Sequence, residues 1–171
     1  MINMAEIIRQ LGVNAEAMRT LVRTISDEQA SWKPAPETWS LKQVMEHVYN
    51  EERIDFRKHL KEMLNNPPQA WGSGGPEEYL SVPSCGEALQ GFLVEREASI
   101  AWLKELKLPD WGVTLQVPFG PAGDVMTLSS GDVLVSWVAH DYLHLRQINE
   151  LLYARHEKQS SPNSVQYAGG W

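Results

Sequence analysis

The segment WVAHDYLHLRQ, Trp137 to Gln147, carries two histidines four residues apart, His140 and His144. On a helix each residue turns about 100°, so the two imidazoles lie about 40° apart on one face. Val133, Trp137, Gln147, Ile148 and Leu151 share that face, and the pair therefore interrupts an apolar stripe. Burying an imidazole without a partner costs on the order of 1–3 kcal/mol. A single divalent ion satisfies two rings at once when they project from adjacent turns. Two histidines on a wet face, each bonded to an ordinary partner, would show the same spacing. A third ligand decides between these readings.

Three histidines remain. His156 lies beyond the pair at the end of the same helix and points away from it; the last-turn carbonyls are its natural partners. His47 and His59 fall on an earlier helix, too far apart along it to share a face. His59 stands among Arg57, Lys58, Lys61 and Glu62, a solvated neighbourhood. His47 stands with Val44, Glu51 and Ile54 on a half-apolar face and is the best-placed third ligand. Glu51, one turn on, has several roles open: fourth ligand, acceptor for an imidazole N–H, base for a bound water, or a surface carboxylate paired with a cation. Three neutral histidines with an open fourth position make a catalytic type of site, which lowers the pKa of a bound water or thiol. Zinc, nickel and iron(II) all accept these donors, so the ligands do not name the metal.

Two other metal readings are weaker. His140-Asp141-x-x-His144 resembles the His-Glu-x-x-His of zinc peptidases, but Asp141 is one methylene shorter and turned about 100° from His140. Glu150, His156 and Glu157 are not persuasively spaced as a downstream third ligand. Asp141 is expected to orient a neighbour instead. A di-iron bundle needs Glu-x-x-His motifs, and the chain contains none.

Helices must position these side chains. Three-four periodicity predicts four of them, at about Asn3–Ile25, Leu41–Leu64, Cys85–Leu106 and Gly131–Arg155. Ser40 with Gln43 and Ser84 with Glu87 match capping boxes, and Ser129 or Ser130 caps the last helix. The connection after helix two, residues 65–83, is long and rich in Pro and Gly. It serves either as a crossover between parallel helices or as a lid over the site. Before helix four, GVTLQV and DVMTL are expected to pair as a hairpin around PFGPAG. In the tail, Tyr167 and Trp171 are expected to fold back on the bundle.

The 171 residues suit one domain, 1–171, with a sizeable core. A formal charge of −7 argues against a nucleic-acid partner. The single cysteine, Cys85, permits no internal disulfide and fits a reducing cytoplasm. No apolar run reaches the roughly 18 residues of a membrane span, and the N-terminus lacks a signal-peptide pattern. A cytoplasmic protein acting on a small molecule is expected.

The stretch SWKPAPETWSLKQVMEHVYNEE, followed late in the chain by AHDYLHLRQINELL and the ending QYAGGW, resembles the DinB-like, or YfiT-like, superfamily. The resemblance covers most of the chain. It implies an all-α, up-down-down-up four-helix bundle. The family's three metal ligands correspond to His47, His140 and His144. It further implies metal-dependent chemistry, either thiol S-transfer with a low-molecular-weight thiol or hydrolysis, and in some members a homodimer. A non-catalytic stress-response or binding bundle is the rival reading.

Four further residues have two readings each. Trp32 and Trp39 flank the turn before helix two, as core anchors or as walls of a metal cleft. Arg146 forms a structural salt bridge or meets an anionic substrate. Cys85, at a helix start, is an inert thiol or one activated by the helix dipole.

Overall fold

A computed structural model describes residues 2–71, 79–119 and 124–169. The helices are α1 (Met4–Val22), α2 (Asp27–Ser31), α3 (Leu41–Ile54), α4 (Phe56–Leu64), α5 (Cys85–Glu105) and α6 (Ser130–Gln159). Strands β1 (Thr114–Phe119) and β2 (Asp124–Ser129) pair antiparallel before α6, Thr114 opposite Ser129, as the expected hairpin. A 3-10 turn follows at Gln166–Ala168.

Local chemistry starts each long helix. Ser40 accepts from Gln43 N–H while the Gln43 side chain accepts from Ser40 N–H, a full capping box. Ser129 and Asp132 repeat it at α6. Ser84 caps α5 by accepting from Glu87 N–H. The periodicity missed α2, whose five residues lie in the first connection and start from a Ser26–Gln29 capping box.

Long-range contacts set the direction of each helix. Lys42 reaches Pro83 at the start of α5, Arg57 reaches Glu95 and Ser99, and Lys61 lies over Trp102. The α3–α4 arm and α5 therefore run parallel, and residues 65–84 connect them as a crossover. Gly12 lies against Ile100 while Arg19 shares a groove with Gln90, so α1 is antiparallel to α5. Asn14 meets Asp141 and Ile2 lies against Gly131, so α1 and α6 run together. Glu52 meets Trp137 while His47 meets His144, so α6 runs opposite to α3. The result is an up-down-down-up four-helix bundle. Gly91 allows α5 to approach α3 closely, since a Cβ there would lie 2.7 Å from the Tyr49 ring.

The core has two apolar halves. One holds Met18, Val44, Met45, Val48, Phe92 and Ile148; the other holds Leu11, Leu60, Met63, Leu103, Leu134 and Trp137. On each long arm the change from one half to the other passes a buried polar residue: Asn14, Glu52, Arg96 and Asp141. These four meet in one network. Arg96 donates to Asp141 at 2.6 and 2.8 Å, to Glu52 at 2.8 Å and to the Leu11 carbonyl at 3.0 Å. Trp137 Nε1 donates to Glu52, and Asn14 donates to Asp141. Burial opposes the guanidinium charge, but Glu52 and Asp141 outweigh it and push the Arg96 pKa up.

Three expectations are corrected. Helix two is not continuous: Asp55 leaves the helical region, with φ −110° and ψ −94°, and separates α3 from α4. Its carboxylate instead meets the His59 ring, 2.5 Å from Nδ1. Consequently His59 is not solvated but buried, stacked on Trp71 with ring centres 4.3 Å apart. The third correction is Tyr167, which is fully exposed in the terminal 3-10 turn and does not fold back. Trp171 lies outside the described residues, as does most of WGSGGP.

Candidate metal centre

His140 and His144 project from α6 toward α3, and His47 meets them. His140 Nε2 lies 3.2 Å from His47 Nε2 and 3.0 Å from His144 Nε2, and the three candidate ligand atoms all lie within 4.8 Å of one another. The three rings pack as tilted neighbours, with centres 4.3–5.3 Å apart.

Hydrogen bonding alone leaves this cluster unsatisfied. His144 Nδ1 lies 2.9 Å from Gln147 Oε1, an atom that only accepts. That bond puts the His144 proton on Nδ1 and leaves Nε2 as a bare lone pair. His140 Nε2, if protonated, donates to one neighbour and not to both. A cation among the three nitrogens removes the conflict. A tetrahedral ion about 2.0–2.1 Å from each nitrogen needs nitrogens about 3.3 Å apart, close to the spacings at His140. The donor set therefore fits zinc, nickel or iron(II).

Electrostatics keep the rings in the ligating state. Burial, then the charge His144 would carry, holds His47 down at about 4. Burial and the two neighbouring rings hold His140 at about 3. Burial also lowers His144. All three are neutral at pH 7.

Glu51 lies one turn beyond His47, with Oε1 3.7 Å from His47 Nδ1. Tyr79 OH donates to the same oxygen. Burial and a hydrogen bond with Asp55 push the Glu51 carboxyl up to about 8. A divalent charge among the rings would pull it back toward ionisation. His47, Glu51, Asp55 and His59 thus form a column at every fourth residue, linked side chain to side chain. Sequence reasoning singled out the first two. The spacing of four was the available signal for Asp55 and His59. Tyr79 gave no signal, being one aromatic in a Pro/Gly-rich connection.

A stripe on α3 places Tyr79. Lys42 Nζ donates to the Pro83 carbonyl, Glu46 accepts from Val82 N–H, and Asn50 both donates to the Leu80 carbonyl and accepts from Leu80 N–H. Residues 79–83 are thereby fastened along α3. Between them and the helix lies a cleft of about 340 Å³ lined by Trp39, Gln43, Glu46, His47, Asn50, Tyr79, Leu80 and Ser81.

The remaining residues are placed as follows. Trp39 walls the cleft, edge-on to His47 at 5.1 Å; Trp32 lies elsewhere, under Lys158. Asp141 faces Arg96 in the core, away from the rings, which removes the peptidase role. Arg146 pairs with Glu150 on its own helix. Cys85 is buried, and burial with Asp27 and Glu46 pushes its thiol up to about 11, so it is inert at neutral pH. His156 is exposed in the last turn, where Ser160 Oγ caps its carbonyl.

Fold and site together define a histidine-centred four-helix bundle. The DinB superfamily profile matches residues 10–148, and the chain belongs to that superfamily. Among solved structures it is similar to YfiT from Bacillus subtilis, described as "a probable metal-dependent hydrolase with an unusual four-helix bundle topology". The two share 16% identity over 88% of each chain, with a TM-score of 0.63, a likeness of fold. No curated protein matches the sequence.

Proposed function

We propose that the protein is a metal-dependent hydrolase whose ligands are His47, His140 and His144 and whose base is Glu51. The observation that carries this is the meeting of three neutral imidazoles beside a carboxyl group, one of them, His47, in the wall of a cleft. The description of the YfiT structure supports the same class. When bound, the ion supplies a Lewis-acid position at which a water or thiol loses its proton more readily. With the ion held by His47, His140 and His144, Glu51 Oε1, the oxygen nearest His47, would be the proton acceptor, and Tyr79 fixes that oxygen by donating to it. Gln147 fixes the tautomer and ring plane of His144. Trp39 and Tyr79 line the cleft beside His47. A low-molecular-weight thiol at the same position would make the reaction S-transfer; turnover that requires added thiol would identify that case. A small-molecule substrate follows from the cleft's size.

The test is metal content by mass spectrometry on tag-free protein prepared without chelator. Wild type is expected to carry near-stoichiometric metal and His47→Ala little, with its helical spectrum intact. Equal, low metal in both after supplementation with zinc, nickel and iron(II) would leave a non-catalytic bundle.

A further inference from the structure

The last turns of α6 carry two cations that no acid answers. Arg155 is half-buried, and among the described residues it has no hydrogen bond or ion pair. Its neighbours three and four residues away on α6 are Leu151, Leu152, Lys158 and Gln159, none of them acidic. Arg9, Arg19, Arg57, Arg96 and Arg146, by contrast, each have a carboxylate partner. Nor is Arg155 spent on the helix end, where the Ser160 N–H and hydroxyl donate to the His156 carbonyl. Arg155 and Lys158 line a groove of about 540 Å³ between α6 and α2, with Trp32 in its wall. Lys158 Nζ stands over the Trp32 ring, 5.6 Å from its centre. Arg155 and Trp32 also border a narrow apolar recess formed with Ile25, Leu41, Leu151 and Leu152.

The acids nearby do not cancel these charges. Glu28 is in the groove's wall, exposed in the first turn of α2, and no ion pair joins it to either cation. Asp27 accepts from Cys85 N–H at the start of α5. Glu157 points at least about 100° around α6 from both cations. A contact with an aromatic face leaves the ammonium charge of Lys158 in place. Two cations thus stand against one acid, and the guanidinium fork, which suits a carboxylate in a two-pronged bond, is unused. We propose that this groove binds a small amphipathic anion, an apolar body carrying a carboxylate. Arg155 and Lys158 hold the carboxylate, and the body lies against Trp32 at the mouth of the recess. The site is separate from the histidine centre: Arg155 is eleven residues beyond His144, about 16 Å along α6. It does not rest on the hydrolase reading.

Three matched probes test this. Indole-3-acetate, indole-3-acetamide and tryptamine share an indole and differ in charge. Each is titrated by calorimetry at neutral pH and low salt into the full-length protein, wild type beside Arg155→Gln, Lys158→Gln and His47→Ala. The acetate is expected to bind at least about tenfold more tightly than the amide, and tryptamine most weakly. Arg155→Gln is expected to remove most of that preference and Lys158→Gln part of it, both with an unchanged melting curve. His47→Ala is expected to bind the acetate as wild type does. Equal affinities, a preference for tryptamine, or no binding of any probe would overturn the proposal. So would a preference that survives both α6 substitutions. Acetate binding lost in His47→Ala but kept in Arg155→Gln would assign the carboxylate to a metal ion at the histidines, refuting this site while supporting that one.

Discussion

At the residue scale, the site depends on which nitrogen of each imidazole carries its proton. Gln147 decides this for His144 by accepting from Nδ1, which turns the Nε2 lone pair inward. Gln147→Leu removes the acceptor and is expected to weaken metal affinity about 10–100-fold, read by chelator competition. Undiminished affinity would mean that packing alone orients the ring. The neutral rings also shape the acid response of metal-free protein. Unfolded histidine takes a proton near pH 6.5, whereas His47 and His140 in the fold resist until about 4 and 3. The unfolded chain therefore binds more protons below pH 6.5, and stability falls as pH drops toward 4. Glu51 acts in the opposite sense. Raised to about 8, it holds a proton that the unfolded chain releases above 4.5, so its stabilisation is lost as pH rises through 8. The His47 and His140 rings together outweigh one carboxyl between pH 4.5 and 6.5. The urea midpoint of metal-free protein is expected to fall across that window on acidification, with a shallower fall from 6.5 to 8. A flat profile would show that the rings titrate normally.

At the element scale, α3 does two jobs with two faces. One face turns His47 to α6; the other, through Lys42, Glu46 and Asn50, holds residues 79–83 and with them Tyr79. Asn50 is the main clamp, since its side-chain amide pairs with both backbone groups of Leu80 as a neighbouring strand would. Asn50→Ala is expected to cost about 1–3 kcal/mol, the usual range when buried polar groups lose partners. It should also speed hydrogen exchange at residues 80–82 while leaving that of α6 unchanged. Uniform acceleration through the bundle would mean that the clamp is part of the global core.

At the scale of the whole molecule, the Asn14–Glu52–Arg96–Asp141 layer joins α1, α3, α5 and α6 midway along the bundle. Arg96 serves two buried carboxylates, Glu52 and Asp141. Removing it strands both, and breaking such a buried pair costs about 3–5 kcal/mol. Arg96→Met is expected to lower the denaturant midpoint accordingly, with metal stoichiometry kept in the fraction that folds. A midpoint close to wild type would show that the carboxylates protonate at little cost. The layer also fixes the registration of the helices that carry the site, since Asp141 adjoins His140 and Glu52 adjoins Glu51.

Much of this was legible in the sequence because it is local. Helix starts at Ser40, Ser84 and Ser129 depend on bonds three residues long. The shared face of His140 and His144 depends on helical pitch, and the hairpin before α6 on alternation bounded by Pro and Gly. The choice of His47 over His59 and His156 depended on the residues around each, and the structure brings His47 to 3.2 Å from His140. What only the tertiary structure decided depends on distant partners. Asp55 ends α3 although nothing in its neighbours forbids a helix, and its carboxylate holds a His59 that Trp71 covers. Tyr79 reaches Glu51 because Asn50 pins the chain at Leu80. Asp141 turns from motif residue to core ion because Arg96 arrives from α5. Local propensity carries no information about such pairings; they are settled when four helices close on one another and every buried polar group must find a partner.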